Sequence, residues 1–550
     1  MDIVLVGLPG SGKSVVGKRL AARHGATFID LDEQIEQRDG RPIPTIFAED
    51  GEAAFRALER HAVADLGPPD SADGVARIVA TGGGAVVDPR NRWALYRGRM
   101  SVWLDSRPEV LAQRLRRSVH VRPLVTARDP IGAIRDLGAR RERFYAAASV
   151  RIGGVAEVAT VVDAVEAKRR AWVATGSRAT TLVRASTPLG RIVIGSGIAA
   201  DEIRAALDRL EARRTIVVSE PGAWTAVGQS LAEAIATDGR PLETVLLPQG
   251  EAAKRLSAIE AAASELARLR VGRDEPIVAL GGGALGDAAG FLAATYLRGI
   301  DLIHVPTTLV AQIDSSIGGK TAVDLPEGKN LVGAFHQPAA IVTDVDLLAT
   351  LPERERRAAL GEAVKMAALG DERLFELLEW HGDEIARGDV ASAERGEVAE
   401  LVERCALAKL DVVIGDERER GGRTGRVVLN LGHSLGHAVE AAAGFGELLH
   451  GEAVAYGLRA ACRIGTAIDV TPARRAERIT TLLDTLGLAR EPLPYGLEDV
   501  LTHLGADKKH AAGRLRWVLP TADGVEVRTD VPDDVVADAA GSLLAAGTTR

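Results

Sequence analysis

Short apolar runs that end in glycine or polar turns predict parallel strands over the first 350 residues. Such runs are Asp2–Val6, Pro276–Leu280 and Asp301–Val305, and uninterrupted runs of this length are typical of strands buried on both faces. Strand signals fade after Leu351. From there the apolar residues recur with helical spacing, in the segments Glu353–Leu369, Asp371–Arg387, Gly396–Lys409 and Ser434–Ala443. The pattern predicts an α/β chain whose last part is helical.

The first strand leads into a glycine loop, Gly7-Leu8-Pro9-Gly10-Ser11-Gly12-Lys13-Ser14, which matches G-x-x-x-x-G-K-[ST] in full. A helix is predicted from Val15 to His24. Strand, loop and helix are the context in which this motif binds phosphates through backbone N–H groups. Lys13 would reach the terminal phosphates of ATP, and Ser14 would hold Mg²⁺. We therefore predict a P-loop domain with a parallel sheet, and nucleotide contacts at Gly10, Ser11, Gly12, Lys13, Ser14 and Val15.

The groups that would select a phosphate acceptor follow along the chain. Asp30 and Asp32 end a short strand and point to the same side of an extended chain. Arg56 and Glu59 lie three residues apart on one face of a predicted helix, a spacing that also suits an ordinary surface ion pair. A second glycine turn, Gly82–Gly84, ends another strand. The spacing alone leaves both interpretations of the Arg56 pair open.

A basic segment at 111–123 contains Arg122 and could close over phosphates as a lid. With a late helix that carries Arg141, the segment up to about Trp172 resembles shikimate kinases. The resemblance implies that Asp30 supports the Mg²⁺ site, that Asp32 orients or deprotonates the shikimate hydroxyl, and that Arg122 faces the transferring phosphoryl group. It also implies a substrate pocket made by Asp32, Arg56, Gly82, Gly83, Gly84 and Arg141. The adenine contacts stay open, because the segment after Val150 is shorter than expected.

A linker is predicted at 174–178, between a kinase-like domain at 1–173 and a second region at 179–550. A helical pattern ends near Val173, and the residues that follow are small and polar without a helical stripe. A strand is expected from Thr180.

The centre of the second region is a strand that runs into Gly281-Gly282-Gly283 and then into a helix of small residues. Glycines let a pyrophosphate approach the backbone, and a helix N-terminus supplies N–H groups and a positive dipole. Thr307-Thr308, Asp314 and Lys320 follow within 40 residues. This density of polar and cationic groups indicates an active site linked to a nucleotide.

These segments, with LGEAVKM, NLGHSLGHAVE and LHGEAV further on, resemble 3-dehydroquinate synthases from about Thr180 to the C-terminus. The resemblance implies an α/β NAD-binding region at 179–351 and an α-helical metal-binding and substrate-binding region at 352–550. It implies contacts with NAD⁺ at Glu220, Glu251, Lys254, Gly282, Gly283, Ala284, Asp287, Thr307, Thr308, Lys329 and Thr350.

Two imidazoles and a carboxylate form a common catalytic zinc set that keeps one position open for substrate. His433 and His437 are spaced i, i+4 and could chelate a metal by themselves. The resemblance instead selects Glu362, His433 and His450 as ligands of one Zn²⁺ or Co²⁺. It leaves His437 in a supporting catalytic role.

Cations would complete this second site. By the same resemblance Lys320, Lys365 and Lys409 act in catalysis. The substrate, 3-deoxy-arabino-heptulosonate 7-phosphate, would be held by Arg298, Asp314, Lys320, Asn330, Arg426, Asn430 and Lys508, with Lys509 as an equal alternative to Lys508. The implied reaction oxidises a hydroxyl with NAD⁺, eliminates phosphate, returns the hydride and closes the ring to 3-dehydroquinate.

Composition limits the remaining choices. The 550 residues carry a net charge of −8, which argues against a general nucleic-acid binder. Two cysteines, Cys405 and Cys462, fit a reducing cytoplasm, and the N-terminal apolar run is interrupted by Gly-Leu-Pro-Gly, so we expect no membrane segment. We expect small-molecule substrates and a homodimer formed through the synthase-like region.

Several alternatives remain on sequence alone. The second region could be a polyol dehydrogenase such as glycerol dehydrogenase, although that would not need Arg298, Lys320 and Arg426. It could also be a sugar-phosphate cyclase that makes aminocyclitols. The P-loop domain could be a regulatory module, or a gluconate or nucleoside-monophosphate kinase. Asp30 and Asp32, together with Arg56 and the glycine turn, favour a carboxylated polyol as acceptor.

Overall fold

The computed structural model describes residues 1–70, 74–116, 129–153, 157–176, 179–420, 422, 425–444, 447–510 and 515–545, with backbone only at 506–510. Contacts between Cα atoms divide the chain into two compact units. The first comprises Met1–Ser186 and Arg191–Ile198, and the second comprises Thr187–Gly190 and Ala199–Arg550. No helix among the described residues is long and apolar enough to cross a membrane.

The first unit contains a five-stranded parallel sheet in the order β2-β3-β1-β4-β5. Its strands are β1 Asp2–Val6, β2 Thr27–Asp30, β3 Arg77–Ala80, β4 Met100–Asp105 and β5 Val150–Gly153. Its helices are α1 Lys13–His24, α2 Leu31–Asp39, α3 Ile43–Glu49, α4 Gly51–Ala64, α5 Pro89–Tyr96, α6 Pro108–Arg116, α7 Pro130–Tyr145 and α8 Val158–Thr175. The P-loop joins the central strand β1 to α1, so it lies at the carboxyl edge of the sheet, where ligands of such folds bind.

The junction differs slightly from the expectation. Helix α8 continues through Thr175 and ends at Gly176, which takes the left-handed conformation of a helix cap. Two neighbouring strands follow, β6 Thr180–Thr187 and β7 Gly190–Ser196. The predicted linker, 174–178, therefore begins inside a helix. Small and polar residues do not end a helix by themselves, and α8 continues until Gly176 caps it.

The second unit begins with an α/β layer whose parallel strands lie in the order β14-β11-β10-β8-β9. Successive residues of β8 alternate between two cores: Ile216 and Val218 pack with α12 and α13, whereas Val217 packs with α9 and α11. The elements are α9 Ala199–Arg209, β8 Thr215–Ser219, α10 Pro221–Ala223, α11 Gln229–Ile235, β9 Leu242–Leu246, α12 Leu256–Arg268, β10 Ile277–Gly281, α13 Gly283–Thr295, β11 Leu302–Pro306, β12 Lys320–Leu325, β13 Gly328–Phe335 and β14 Ala340–Asp344.

The predicted helical region is confirmed. Its helices are α14 Glu353–Ala368, α15 Glu372–Arg387, α16 Val390–Arg395, α17 Glu397–Gly415, α18 His433–Ala442, α19 His450–Ala467, α20 Ala473–Thr485, α21 Leu497–His510 and α22 Asp533–Gly541. Two antiparallel hairpins were not predicted. One is β12–β13, and the other pairs β15 Trp517–Pro520 with β16 Val525–Arg528. Three of their four strands are largely half-exposed, and the fourth, β15, is a buried run of only four residues, so they leave little hydrophobic pattern to detect.

Candidate active sites

The P-loop is closed around its own lysine. Lys13 Nζ donates to the carbonyl oxygens of Gly7 at 2.8 Å and Leu8 at 3.1 Å, and Gly10 and Gly12 have φ angles of 83° and 96° that side chains disfavour. The predicted residues Gly10, Ser11, Gly12, Lys13, Ser14 and Val15 all line one cavity of about 390 Å³. The structure thus brings the predicted nucleotide contacts together.

A pair of oxygen groups fits Mg²⁺ at this cavity. Ser14 Oγ donates to Asp30 Oδ2 at 2.6 Å, and Asp30 Oδ1 accepts from the backbone N–H of Asp32 at 3.1 Å, which caps α2. Hydroxyl and carboxylate oxygens are the ligands that Mg²⁺ prefers. Ser14 and Asp30 would hold it, while Asp32 lines the same cavity.

The glycine turn at 82–84 is packed against charged side chains. A Cβ added at Gly82 would lie 2.7 Å from Asp32 Oδ1 and 2.8 Å from Glu59 Oε1, and one at Gly84 would lie 2.5 Å from Arg56 Nη1. Arg141 Nη1 donates to the Gly83 carbonyl at 2.8 Å. The predicted acceptor residues therefore converge on this turn.

Two residues of this pocket were not predicted. Glu59 is only 1% exposed, accepts from Arg56 at 2.8 Å, and leaves its Oε1 atom without a hydrogen bond. Burial raises the pKa of Glu59 despite the nearby Arg56. Because Glu59 is buried, its pair with Arg56 is not an ordinary surface ion pair. Tyr145 donates its hydroxyl to the Gly83 carbonyl, and burial raises its pKa to about 12. Its spacing of four residues from Arg141 on α7 could have revealed it.

The cavity is also lined by Arg114, Ile152, Val158 and Val161. These residues place a guanidinium and apolar side chains where the sequence left the adenine contacts open. Arg122 lies outside the described residues.

The nucleotide turn of the second unit follows β10. Gly282 precedes α13, and an added Cβ there would lie 3.2 Å from Thr308 Cγ2, while one at Gly283 would lie 2.8 Å from Ser315 Oγ. Glu220 accepts backbone N–H groups from Gly250 at 2.8 Å and from Gly282 at 3.2 Å. Glu220 therefore fixes the shape of this turn. The narrow glycine cradle at a helix N-terminus fits the pyrophosphate of NAD⁺.

A buried lysine closes one side of this turn. Lys254 is 3% exposed; its Nζ atom lies 2.9 Å from Asp287 Oδ2 and donates to the side-chain oxygen of Asn330. Burial lowers the pKa of Lys254, but Asp287 outweighs it and the net shift is upward. Lys329 lies 3.3 Å from Glu251. Five predicted contacts are thus joined in one network.

The three remaining predicted NAD⁺ contacts are Thr307, Ala284 and Thr350. Thr307 donates its N–H to the Gly281 carbonyl at 3.0 Å, and Ala284 lies in the first turn of α13. Thr350 is exposed at the end of a short 3₁₀ helix, Val345–Thr350.

Glycines bring the predicted metal ligands together, since each ligand is the neighbour of a glycine in the chain. A Cβ added at Gly361 would lie 2.2 Å from the Gly451 carbonyl oxygen, and one at Gly451 would lie 1.9 Å from that of Ala358. Gly432 has a φ of 77°, and a Cβ added there would lie 3.0 Å from the Val454 carbonyl oxygen. Helices α14, α18 and α19 can therefore approach to backbone contact beside Glu362, His433 and His450.

The three predicted ligands face one another. Glu362 is fully buried, and its Oε1 atom lies 3.5 Å from His433 Nε2 and 3.1 Å from His450 Nε2. Neither oxygen of Glu362 makes a hydrogen bond of acceptable geometry, although Lys365 Nζ lies 2.5 Å from Oε2. Two imidazoles and an unsatisfied buried carboxylate suit Zn²⁺ or Co²⁺.

His437 lies beside His433 and His450, but it is exposed. Nitrogen atoms of His433, His437 and His450 all lie within 4.8 Å of one another. The geometry thus permits a set of three imidazoles as well, and the burial of Glu362 favours the set with the carboxylate. A second group with metal-binding geometry, His381, Glu384 and Glu397, is already paired with Arg395.

Two lysines and one aspartate form a buried triad next to Glu362. Asp314 lies 3.3 Å from Lys365 and 2.9 Å from Lys409. Burial would raise the pKa of Asp314, but the two lysines outweigh it and lower it to about 2. For Lys409 burial dominates and the pKa falls, whereas for Lys365 two carboxylates outweigh burial and the pKa rises. Asp314 is therefore an anion that holds both ammonium groups beside the metal ligands.

The cations predicted for the substrate are partly assembled. Arg426 donates to the carbonyl oxygens of Gly318 at 3.1 Å and Glu417 at 2.9 Å. Lys320 Nζ lies 2.7 Å from Glu419 Oε2, and Asn430 donates to Glu419 Oε1 at 3.3 Å. Glu419 was not predicted, because it lies 99 residues from Lys320 in a loop of mixed charge that offers no motif.

Two predicted substrate contacts are not placed at this site. Arg298 is exposed beyond the C-terminal end of α13, a helix of 13 residues whose N-terminus holds the nucleotide turn. Since a helix rises 1.5 Å per residue, the two ends are roughly 20 Å apart. Arg298 therefore lies at the opposite end of α13 from the nucleotide turn, and its contact with substrate stays a prediction. The side chain of Lys508 lies outside the described residues.

Comparison with known proteins covers most of the chain. The family models for shikimate kinase, for the 3-dehydroquinate synthase N-terminal region and for its C-terminal region match residues 9–167, 244–358 and 359–510. The chain is 44% identical over 297 residues to a 3-dehydroquinate synthase of Colwellia psychrerythraea, covering 54% of this chain and 82% of that protein. It is 43% identical over 351 residues to one of Symbiobacterium thermophilum, covering 63% and 95%.

A solved structure has the same fold as the second region. It is ValA, a 2-epi-5-epi-valiolone synthase of Streptomyces hygroscopicus with NAD⁺ and Zn²⁺ bound, 29% identical with a TM-score of 0.57, covering 64% of this chain and 96% of that one.

Proposed function

The chain belongs to the 3-dehydroquinate synthase family and carries a shikimate kinase region ahead of the synthase, and on that premise we propose which residues perform the two reactions. It is a bifunctional enzyme of the shikimate pathway. One part transfers phosphate from ATP to shikimate. The other cyclises 3-deoxy-arabino-heptulosonate 7-phosphate to 3-dehydroquinate and uses NAD⁺ and a divalent metal.

In the kinase, Lys13 and the P-loop N–H groups hold the ATP phosphates, and Ser14 and Asp30 hold Mg²⁺. Asp32, which lines the same cavity, orients the shikimate hydroxyl. Arg56 and Arg141 bind the carboxylate of shikimate, a role supported by their convergence on the glycine turn. Arg122 remains the proposed lid cation at the transferring phosphoryl group.

In the synthase, the nucleotide turn and the Lys254 network bind NAD⁺, and Glu362, His433 and His450 bind the metal. When bound, the metal would polarise a substrate hydroxyl as a Lewis acid, and NAD⁺ would reversibly take up hydride from the carbon that bears this hydroxyl. The ammonium groups of Lys365 and Lys409, held by Asp314, lie where they can bind the hydroxyls or carboxylate of the substrate. Lys320, Asn330, Arg426 and Asn430 bind its phosphate and carboxylate, and His437 assists proton movement at the exposed side. The single observation that carries this proposal is the convergence of Glu362, His433 and His450 beside the triad of Asp314, Lys365 and Lys409.

The chain further forms a homodimer through the synthase region. The exposed position of Arg298 beyond the C-terminal end of α13 supports this, because a second copy could bring that guanidinium to the site. Mixing an Arg298→Ala chain with a chain inactive at His433 would test it: recovered activity requires exchange between subunits.

The proposal also includes the domain boundaries, which are 1–173, 174–178 and 179–550. It further includes a cytoplasmic location, which suits the two buried free thiols. Cell fractionation tests the location.

One experiment tests the function as a whole. Purified protein is given ATP with shikimate and, separately, NAD⁺ with the heptulosonate phosphate, while ADP and inorganic phosphate are measured. A heptulose 7-phosphate without the carboxylate serves as the control, because an aminocyclitol-type cyclase would accept it. Phosphate release from the control alone would refute the synthase assignment.

A further inference from the structure

Glu440 contacts both the metal-ligand set and the cations of the nucleotide region; it ends the segment NLGHSLGHAVE, but no role was predicted for it. It lies on α18, seven residues after His433, so both project from the same face of that helix. Its side chain is 6% exposed. Lys329 Nζ donates to Glu440 Oε1 at 2.8 Å, and His450 Nδ1 lies 3.3 Å from Glu440 Oε2.

The contact with His450 decides which ring nitrogen is available to a metal. Nε2 of His450 faces Glu362, so Nδ1 must carry the proton if Nε2 is to present a lone pair. An acceptor at Nδ1 fixes that tautomer and the ring orientation. His433 has an equivalent acceptor, the Leu431 carbonyl at 3.1 Å from its Nδ1. Of these two histidines, only His450 has a carboxylate as the acceptor at Nδ1. A carboxylate also raises the basicity of the ring.

The second contact extends to the hairpin β12–β13. Lys329 lies on β13 next to Asn330 and also pairs with Glu251 at 3.3 Å. Burial lowers the pKa of Lys329, but Glu440 and Glu251 outweigh it. One buried carboxylate therefore fixes a metal ligand from α19 and a cation from the hairpin at the same time.

We propose that Glu440 is a positioning residue that orients His450 for the metal and holds Lys329 against the nucleotide region. The proposal rests on the metal site proposed above. It assigns no bond to the metal for Glu440 itself. Loss of the carboxylate should weaken metal binding through His450 and should also weaken NAD⁺ binding through Lys329.

The test measures binding without turnover. Wild type, Glu440→Gln, Glu440→Ala and Lys329→Ala are stripped of metal and titrated with Zn²⁺ against a chromophoric chelator, and NAD⁺ binding is followed by calorimetry. Glu400→Gln is the matched control, because Glu400 is 2% exposed and paired with Arg373 and Arg404 in the same helical region. Thermal melting of each metal-free protein establishes that it is folded.

We expect zinc affinity to fall 10-fold to 100-fold in Glu440→Ala, as for other residues that orient metal ligands. In Glu440→Gln it should fall less, since an amide oxygen can still accept from Nδ1. Lys329→Ala should weaken NAD⁺ and leave zinc affinity within threefold of wild type, as should Glu400→Gln. A folded Glu440→Ala that binds zinc like wild type overturns the inference. Loss of stoichiometric zinc in Glu440→Gln as severe as in Glu440→Ala would make Glu440 a ligand and also overturn it. A wild-type protein without stoichiometric zinc would instead refute the proposed metal site.

Discussion

Gly361→Ala should disrupt the metal site by pushing two helices apart. A Cβ at residue 361 would lie 2.2 Å from the Gly451 carbonyl oxygen, whereas ordinary contacts begin at 3.4 Å. Helices α14 and α19 must therefore separate by about 1.2 Å, the difference of those two distances. Glu362 and His450 are the chain neighbours of these glycines and now lie 3.1 Å apart. Metal ligands tolerate displacements of only ~0.2 Å.

The cost in folding stability can be estimated from the overpacking and from the gain in helix propensity. Overpacking of a tight interface destabilises a protein by about 1–3 kcal/mol, while replacing a helical glycine by alanine returns about 1 kcal/mol. We expect a folded protein with a free energy of unfolding lowered by at most about 2 kcal/mol and at least a tenfold loss of zinc affinity. The matched control is Gly505→Ala in α21, where an added Cβ meets nothing within 4 Å.

The assay is zinc content after dialysis, with thermal melting and both enzyme activities measured on the same sample. The kinase activity should be unchanged in Gly361→Ala, because its residues belong to the other unit. Gly505→Ala should keep its zinc and gain slightly in stability. Wild-type zinc content and phosphate release in Gly361→Ala would refute the argument that backbone contact of α14 and α19 sets the ligand geometry.

The remaining predictions concern single residues, the bound metal and the independence of the two regions. Lys13→Ala should abolish ADP formation with shikimate, because Lys13 stabilises charge on the transferring phosphoryl group, and should leave the cyclase rate unchanged; a parallel loss of phosphate release would contradict the assignment of domains. A strong chelator should abolish the cyclase and Zn²⁺ or Co²⁺ should restore it, but not in His433→Ala; if that variant keeps stoichiometric metal and normal turnover, His433 is not a ligand. Tyr145→Phe removes the donor to the Gly83 carbonyl and should raise KM for shikimate several-fold with little change for ATP, as steady-state kinetics will show; equal effects on both substrates would argue for a general structural role. Separate expression of residues 1–175 and 176–550 should give two working enzymes, and a cyclase fragment slowed more than about tenfold, roughly 1.4 kcal/mol in barrier, would show that the first part supports it.

The sequence alone determined the elements whose chemistry is written in contiguous motifs. The P-loop, the turn at Gly282 and the segments around Glu362, His433 and His450 each combine a strand or helix signal with the functional residue a few positions away. Such local patterns depend on backbone geometry within one element, so they can be read without knowing the neighbours. The α/β order followed by helices was predictable for the same reason.

Only the tertiary structure decided which charges are buried and which partners they have. Glu59 had the spacing of a surface pair and proved to be buried beneath the acceptor pocket. Glu419 and Glu440 lie 99 and 111 residues from the lysines that they bind, so no local pattern links them. Arg298 shows the reverse case, since it lies close in sequence to the glycine turn but is carried to the far end of α13. Burial and pairing across the chain depend on how helices and strands pack, and that packing is fixed by contacts between distant residues rather than by any one segment.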